Sequence, residues 1–279
     1  MSASDDAASW KATERAPLTF GTIVVVGGGC YGRYYVRQLR RAAHAGAVSW
    51  QRISVIDRDQ DCAIMRAGES PSDVVSADGV RTVICEWREF FREYLGWAAE
   101  NPSEVAADAI VPSPLMPHLM FEWIYERARK RWPERSVMSA PLEAPPGTPW
   151  QRATPGGPHY VSFAEWMCPI NCIEPRTCPH TRAARSWSLP DTARDYVERE
   201  KERGRPLVGP VIFHCTHRAY GVGMFDTLEV LEGDAMVRSA AADSGVDLLV
   251  GTMSHCHGAF QRLVIGAPVI GGSPVSRHW

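Results

Sequence analysis

A short apolar run that ends in closely spaced glycines restricts this chain to a small group of folds. Residues 22–26 read Thr-Ile-Val-Val-Val, and Gly27, Gly29 and Gly32 follow in the spacing Gly-x-Gly-x-x-Gly. The pattern predicts a buried parallel strand, a tight turn and a helix over 31–43. Gly27 would permit the turn, Gly29 would let the backbone approach a pyrophosphate, and Gly32 would permit close helix–strand packing. The turn therefore predicts a nucleotide-binding βαβ unit.

A second predicted strand, over 52–56, ends at Asp57. A carboxylate at this position can bind the ribose hydroxyls of a dinucleotide, and it favours NAD because it repels a 2′-phosphate. Arg58 could accept that phosphate, so the choice between NAD and NADP stays open. The predicted cofactor-binding residues are Gly27, Gly29, Cys30, Tyr31, Gly32, Asp57 and Arg58.

Strand and helix patterns alternate along the rest of the chain. Strands are predicted over 80–84, 109–111, 207–213 and 246–250, helices over 86–100, 117–131, 191–203 and 227–244, and a last short helix over 257–265. The alternation predicts an α/β, Rossmann-like parallel sheet of about six strands. We divide the chain into a flexible arm (1–18), a dinucleotide-binding half (19–140), an irregular Cys-rich insertion (141–205) and a C-terminal α/β half that completes the sheet (206–279).

The insertion carries Cys168, Cys172 and Cys178 in a proline-rich stretch without clear periodicity. A long irregular segment needs something besides an apolar core to order it, and a bound metal would serve. Three thiolates leave one ligand to come from elsewhere. Cys256 and Cys215 are the candidates for this ligand, because each follows a predicted strand. Cys256 is preferred, and Cys215 is the weaker candidate. The pattern predicts an iron–sulfur cluster, with a zinc site completed by His180 as the alternative.

Histidines flank the same two cysteines. His214 and His217 surround Cys215, and His255 and His257 surround Cys256. The carboxyl ends of parallel strands share one sheet edge, where ligands bind, and histidine titrates near neutral pH. We therefore predict that His255, His257 or His214 handles protons in catalysis.

The glycine turn and the second strand, Val55-Ile56-Asp57-Arg58-Asp59, resemble the nucleotide-binding domain of bacterial potassium-uptake regulators. The Val-Val-Gly-Gly-Gly opening is also similar to the dehydrogenase domain of siroheme synthase. Both resemblances cover roughly residues 20–60 and imply a fold and a nucleotide. The whole chain resembles a poorly characterised group of bacterial Rossmann proteins with a Cys-Pro-x-x-Cys-x-Glu-Pro segment, which implies no activity.

Composition narrows the class of partner. The net charge of −2 over 279 residues gives no signal for nucleic-acid binding, and no apolar run reaches the roughly 18 residues that a membrane span needs. The polar N-terminus lacks the apolar core of a secretory signal, so a cytoplasmic location is predicted. We expect a small-molecule substrate or an electron-transfer partner, and homo-oligomerisation stays open.

The predicted function is an NAD(P)-dependent oxidoreductase with a Cys-ligated iron–sulfur cluster near the nicotinamide site. Two alternatives remain at this stage: a zinc-stabilised NAD-dependent dehydrogenase, and a nucleotide- or redox-sensing regulatory module without turnover.

Overall fold

The structure, a computed structural model, describes residues 16–69, 78–164, 168–170 and 172–268. Most of the predicted arm, residues 1–15, lies outside the described residues. The strands are β1 (Leu18–Val26), β2 (Val48–Asp57), β3 (Val80–Ile84), β4 (Ala109–Val111), β5 (Val137–Ala140), β6 (Trp150–Ala153), β7 (His159–Ser162), β8 (Leu207–His214), β9 (Thr216–Ala219), β10 (Val222–Asp226), β11 (Val246–Met253) and β12 (His257–Ile265). The helices are α1 (Cys30–His44), α2 (Ala63–Arg66), α3 (Trp87–Glu100), α4 (Leu119–Arg131), α5 (Leu189–Glu202) and α6 (Thr227–Ala240).

The first sheet has the strand order β3-β2-β1-β4-β10-β9. The first four strands run parallel, whereas β10 pairs antiparallel with β4 and β9 pairs antiparallel with β10. Ile23, Val24 and Val25 are fully buried, which places β1 in the middle of the sheet with apolar side chains on both faces. The predicted βαβ unit is therefore present as β1, α1 and β2.

The second sheet has the order β6-β7-β12-β11-β8, and β5 also pairs with β12. Only β8 and β11 run parallel to each other, and the remaining pairs are antiparallel. The predicted α/β class is confirmed, but the single parallel sheet is not: the described residues form two mixed six-stranded sheets. The predicted C-terminal half contributes β9 and β10 to the first sheet and β8, β11 and β12 to the second.

The predicted helix over 257–265 was also wrong, because these residues form β12. The chain turns back directly after β11, and β12 pairs with it antiparallel. The pairing runs from Met253 opposite Gly258 to Val246 opposite Ile265. A short, mostly apolar run has no decisive periodicity, so the neighbouring strand decides its conformation. The proline-rich insertion likewise contains β6 and β7, which its sequence did not predict.

The two sheets share one core. A single apolar cluster joins Val24 and Ile110 of the first sheet to Val211 and Leu248 of the second through residues of α3, α4 and α6. A second cluster covers the opposite face of the first sheet with α1, and a third joins the second sheet to α5. The layers are therefore α1, the first sheet, three helices, the second sheet and α5. None of the helices in the described ranges combines the length and apolar character that crossing a bilayer requires.

Candidate functional site

A cavity of about 160 Å³ lies where the carboxyl ends of strands from both sheets meet. Strands β1 and β4 point toward it from the first sheet, and β8 and β11 point toward it from the second. Its wall includes residues of α1, of the segment after β4, of the Cys-rich segment, and of the turns after β8 and β11: Tyr31, Tyr35, Pro112, Cys168, Cys172, Glu174, Cys215, His217, Ser254 and His257. Reactive side chains therefore do meet at the carboxyl ends of strands, as predicted, but the strands belong to two sheets.

Backbone hydrogen bonds fix the two turns that carry the histidines. The Cys215 N–H donates to the Met253 carbonyl at 2.8 Å, which continues the β8–β11 pairing beyond the strands. The Ser254 N–H donates to the His257 carbonyl at 2.8 Å and closes the turn into β12. The strand order thus determines which side chains reach the cavity.

The four cysteines predicted as metal ligands are neighbours. Burial, together with the charges of Cys172, Cys256 and Cys178, raises the pKa of Cys168 to about 12. Cys168 and Cys172 also form a hydrogen bond between their thiols. The predicted fourth member, Cys256, therefore lies with the trio.

Protein N–H groups already point at two of these sulfurs. Burial raises the pKa of Cys178, but hydrogen bonds from Thr181 and His180 outweigh it, so the pKa is lowered. Cys178 begins a tight hairpin, in which Thr177 pairs with Ala184. At Cys256 the Trp187 indole Nε1–H donates to Sγ at 3.3 Å, and burial raises the pKa of this thiol to about 11. Such N–H donors stabilise thiolates that bind metal.

The arrangement of the cysteines is not a finished coordination shell. In the described parts of the chain, no group of three or more His, Cys, Asp or Glu side chains is positioned to hold a metal ion. The donor set nevertheless fits a thiolate-bound centre in its chemistry, since four thiols and several N–H donors face one region. Binding would require the sulfurs to close around the metal.

Cys215, the weaker candidate, lies apart from this group. Burial raises its pKa to about 12, and the charged groups that act on it are Glu174, Arg218 and Glu229. Its Sγ packs against Gly223, where an added Cβ would lie 2.6 Å away. Cys215 therefore belongs to the opposite wall of the cavity.

The histidines divide into two pairs. His257 and His217 line the cavity, whereas His214 and His255 are absent from its described lining and pack edge-to-face at 4.7 Å. His257 Nδ1 lies 3.1 Å from the Ser162 hydroxyl, and burial lowers the pKa of the imidazole. Burial also lowers the pKa of His214, with the charge of His255 acting in the same direction.

Glu174 is a site residue that the prediction missed. Its side chain is 8% exposed, and its carboxylate accepts the Cys256 N–H at 3.2 Å. Burial raises its pKa, but hydrogen bonds from His217 and Ser254 outweigh this and hold the pKa at about 2. His217 Nδ1 lies 3.6 Å from the carboxylate. The sequence signal for Glu174 is the order Cys-x-Glu-Pro, which begins at Cys172.

The first turn of α1, directly after the glycine turn, borders a second, open cavity of about 670 Å³. Cys30, Tyr31 and Cys168 line it, and Tyr31 and Cys168 also line the first cavity. An added Cβ at Gly32 would lie 1.7 Å from the Gly27 carbonyl oxygen, whereas one at Gly29 would meet nothing within 4 Å. Gly32 is thus required for packing, and Gly29 faces open space.

Asp57 and Arg58 lie beside this turn. The buried Asp57 carboxylate accepts the Gly28 N–H at 2.6 Å and the Asp59 N–H at 2.9 Å, so it holds the turn in place. The Arg58 side chain is 63% exposed and covers the Trp87 ring at 5.3 Å. A ribose at this position would share the Asp57 carboxylate with the backbone.

Comparison with known proteins places most of these residues within one family. The family model described as "AF_1314_C: Uncharacterized protein, C-terminal domain" matches residues 120–266, more than half of the chain. The matched segment contains all four clustered cysteines and Glu174, but not the glycine turn. No curated protein and no solved structure matches the chain.

Proposed function

The chain belongs to the AF_1314_C family, and because that membership carries no activity, we propose a function from the site itself. The protein is an NAD(P)-dependent oxidoreductase with a metal centre on Cys168, Cys172, Cys178 and Cys256. An iron–sulfur cluster is the group we favour, because an all-thiolate set is its usual donor set. When bound, the cluster would supply single-electron transfer.

One observation carries this proposal: the first turn of α1, which follows the glycine turn, and the Cys-rich segment border the same two cavities. Tyr31, in the first turn of α1, and Cys168, in the Cys-rich segment, line both. A dinucleotide whose pyrophosphate rests on Gly29 would have open space on that side. Its nicotinamide end would lie near the thiols.

The remaining polar residues can handle protons. His257 is held by Ser162 through Nδ1, which leaves its other ring nitrogen for the cavity. Glu174 orients His217 in the same way from the opposite side. We therefore propose His257 and His217, and no longer His214 and His255, as the residues that transfer protons.

Zinc on the same four thiolates is the second candidate. The hairpin at Cys178, whose N–H groups face the sulfur, is equally suited to a zinc thiolate. His180 is exposed and is not among the groups that act on Cys168, so it is the less favoured fourth ligand in either case.

Anaerobic purification with iron, sulfide and zinc analysis and a visible spectrum tests the metal centre. Brown protein with iron and sulfide supports the cluster, and colourless protein with about one zinc per chain supports the second candidate. Fully folded protein without metal contradicts both.

Titration calorimetry with NADH and NADPH tests the nucleotide site. We expect binding in the wild-type protein and weaker NADH binding in Asp57→Asn, with NADPH affected less, because the ribose loses its carboxylate acceptor. Asp61→Asn, an exposed neighbour, is the matched control. Absence of binding to both nucleotides in the wild-type protein would contradict the dinucleotide assignment.

A further inference from the structure

Arg185 lies against the cysteine group but was not part of the predicted site. Its backbone N–H donates to the Arg176 carbonyl at 2.7 Å, next to the pairing of Thr177 with Ala184. This hairpin fixes Arg185 on the strand that faces Cys178. Its Nη1 donates to the Pro175 carbonyl, which ties the guanidinium to the segment before Cys178.

The Arg185 guanidinium is within hydrogen-bonding reach of the Cys256 sulfur, but two of its donors are left without a well-formed bond. Nε and Nη2 are buried and make no hydrogen bond of regular geometry with any described residue. A buried unpaired donor costs about 1–3 kcal/mol, and more when the group is charged, so such atoms call for an explanation. Sulfur atoms of a centre on the neighbouring cysteines would be acceptors for them.

The positive charge is directed at two thiols from different segments. Arg185 is among the groups that act on Cys178 and on Cys256, and in both cases it favours the thiolate. The two cysteines are 78 positions apart in sequence, and Arg185 bridges them in space. A centre on four thiolates would carry net negative charge, which a buried guanidinium beside it would compensate.

We propose that Arg185 is a positioning residue for the metal centre, whose Nε–H and Nη2–H donate to sulfur atoms of the bound group and raise its reduction potential. The inference rests on the proposed function, because it presupposes a centre on these cysteines. Hydrogen bonds to sulfur and nearby positive charge both stabilise the form that has gained an electron. The rigid fork of arginine can supply two such bonds at once, which a lysine ammonium at the same place cannot reproduce.

The test is a redox titration of the anaerobically purified protein with dithionite as the electron donor, followed by its visible spectrum and electron paramagnetic resonance. Wild-type protein is compared with Arg185→Met, Arg185→Lys and Arg176→Met. Arg176 is an exposed arginine of the same hairpin and serves as the matched control. Metal content is measured for each variant.

We expect Arg185→Met to shift the one-electron equilibrium toward the oxidised form by about tenfold or more, which is about 59 mV. Arg185→Lys should fall between this variant and the wild type, and Arg176→Met should match the wild type. An unchanged potential in loaded Arg185→Met overturns the inference. If Arg185→Met does not load, a lowered potential in Arg185→Lys supports the inference and a wild-type potential overturns it.

Failure of the proposed function gives a different result. If the wild-type centre is zinc, the same series is read as zinc affinity by competition with a chelator, and a loss of about tenfold or more in Arg185→Met supports charge compensation. Unchanged zinc affinity overturns it. Wild-type protein without any metal refutes the proposed centre and the role of Arg185 together.

Discussion

Two glycines of the same turn should respond in opposite ways to one added methyl group. At Gly32 a Cβ would lie 1.7 Å from the Gly27 carbonyl oxygen and 2.9 Å from its carbonyl carbon. Both atoms belong to the backbone, so no side-chain rotation can relieve the contact. At Gly29 a Cβ meets nothing within 4 Å, and the backbone there is extended, with a φ of −68° that any residue adopts.

The magnitudes follow from these distances. Gly32→Ala forces β1 and α1 apart, and overpacking of this kind costs about 3 kcal/mol or more of unfolding free energy when backbone must move. Gly29→Ala should change the unfolding free energy by less than about 0.5 kcal/mol, with a small gain from the reduced freedom of the unfolded chain. Substitutions at the two glycines therefore separate the packing of α1 against the turn, which depends on Gly32, from the approach of a ligand to the backbone at Gly29.

Urea unfolding followed by circular dichroism and calorimetry with NADH measure both effects. We expect folded Gly29→Val that no longer binds NADH, and Gly32→Ala that unfolds at much lower urea. Wild-type stability in Gly32→Ala would refute the packing of the turn. Unchanged NADH affinity in Gly29→Val would refute the pyrophosphate site while leaving the fold intact.

Three further outcomes are expected. Cys256→Ser should lose metal as severely as loss of any trio cysteine, whereas Cys215→Ser, in the cavity wall but not among the cysteines that act on Cys168, should retain it; metal analysis of both decides the point, and equal losses would contradict the assignment. Glu69 binds Arg33 and Arg37 of α1 at 2.6 Å, and the hydrogen bond from Arg33, with that from Arg37 and the charges of both, lowers its pKa from 4.5 to about 2. Its contribution to stability is therefore present above about pH 4.5 and lost as the pH falls toward 2, so Glu69→Gln should lose about 1 kcal/mol in urea unfolding at pH 7 and much less near pH 2.5. Arg135 donates to three backbone carbonyls at 2.6 Å, and Arg135→Met should lower the unfolding free energy by about 3 kcal/mol; a loss below about 1 kcal/mol would contradict this network.

Local patterns predicted the first half of the fold well, because its strands are buried on both faces. Residues 80–84 and 109–111 form β3 and β4 with the predicted bounds, and the glycine turn joins β1 to α1 as expected. In the second sheet β8 and β11 were predicted as strands, but β5, β6 and β7 were missed because each has only four residues, and β12 was missed because it follows β11 directly. The mixed pattern of β9 and β12 does not reveal whether they pair within one sheet or start another.

The site was predicted in part for a related reason. Residues at strand ends converge whichever sheet carries the strands, so the placement of Cys215 and His257 at one cavity followed from topology, whereas the trio lies in an irregular segment whose path topology does not give. Which histidine faces the cavity depends on the turn after each strand, and here the turns direct His217 and His257 inward. Arg185 has no sequence signal at all, because a lone arginine in an irregular segment is usually solvated.

The position of β10 has a consequence for any attempt to dissect the chain. This strand lies within the segment that the family match covers, yet its partner on one side is β4, from before that segment. The apolar cluster between the sheets likewise draws on residues from both sides of residue 120. A fragment beginning there would expose an unpaired strand edge and half of its core, which favours aggregation. The family segment is therefore one part of a single cooperative unit, and work on its cysteines requires the whole chain.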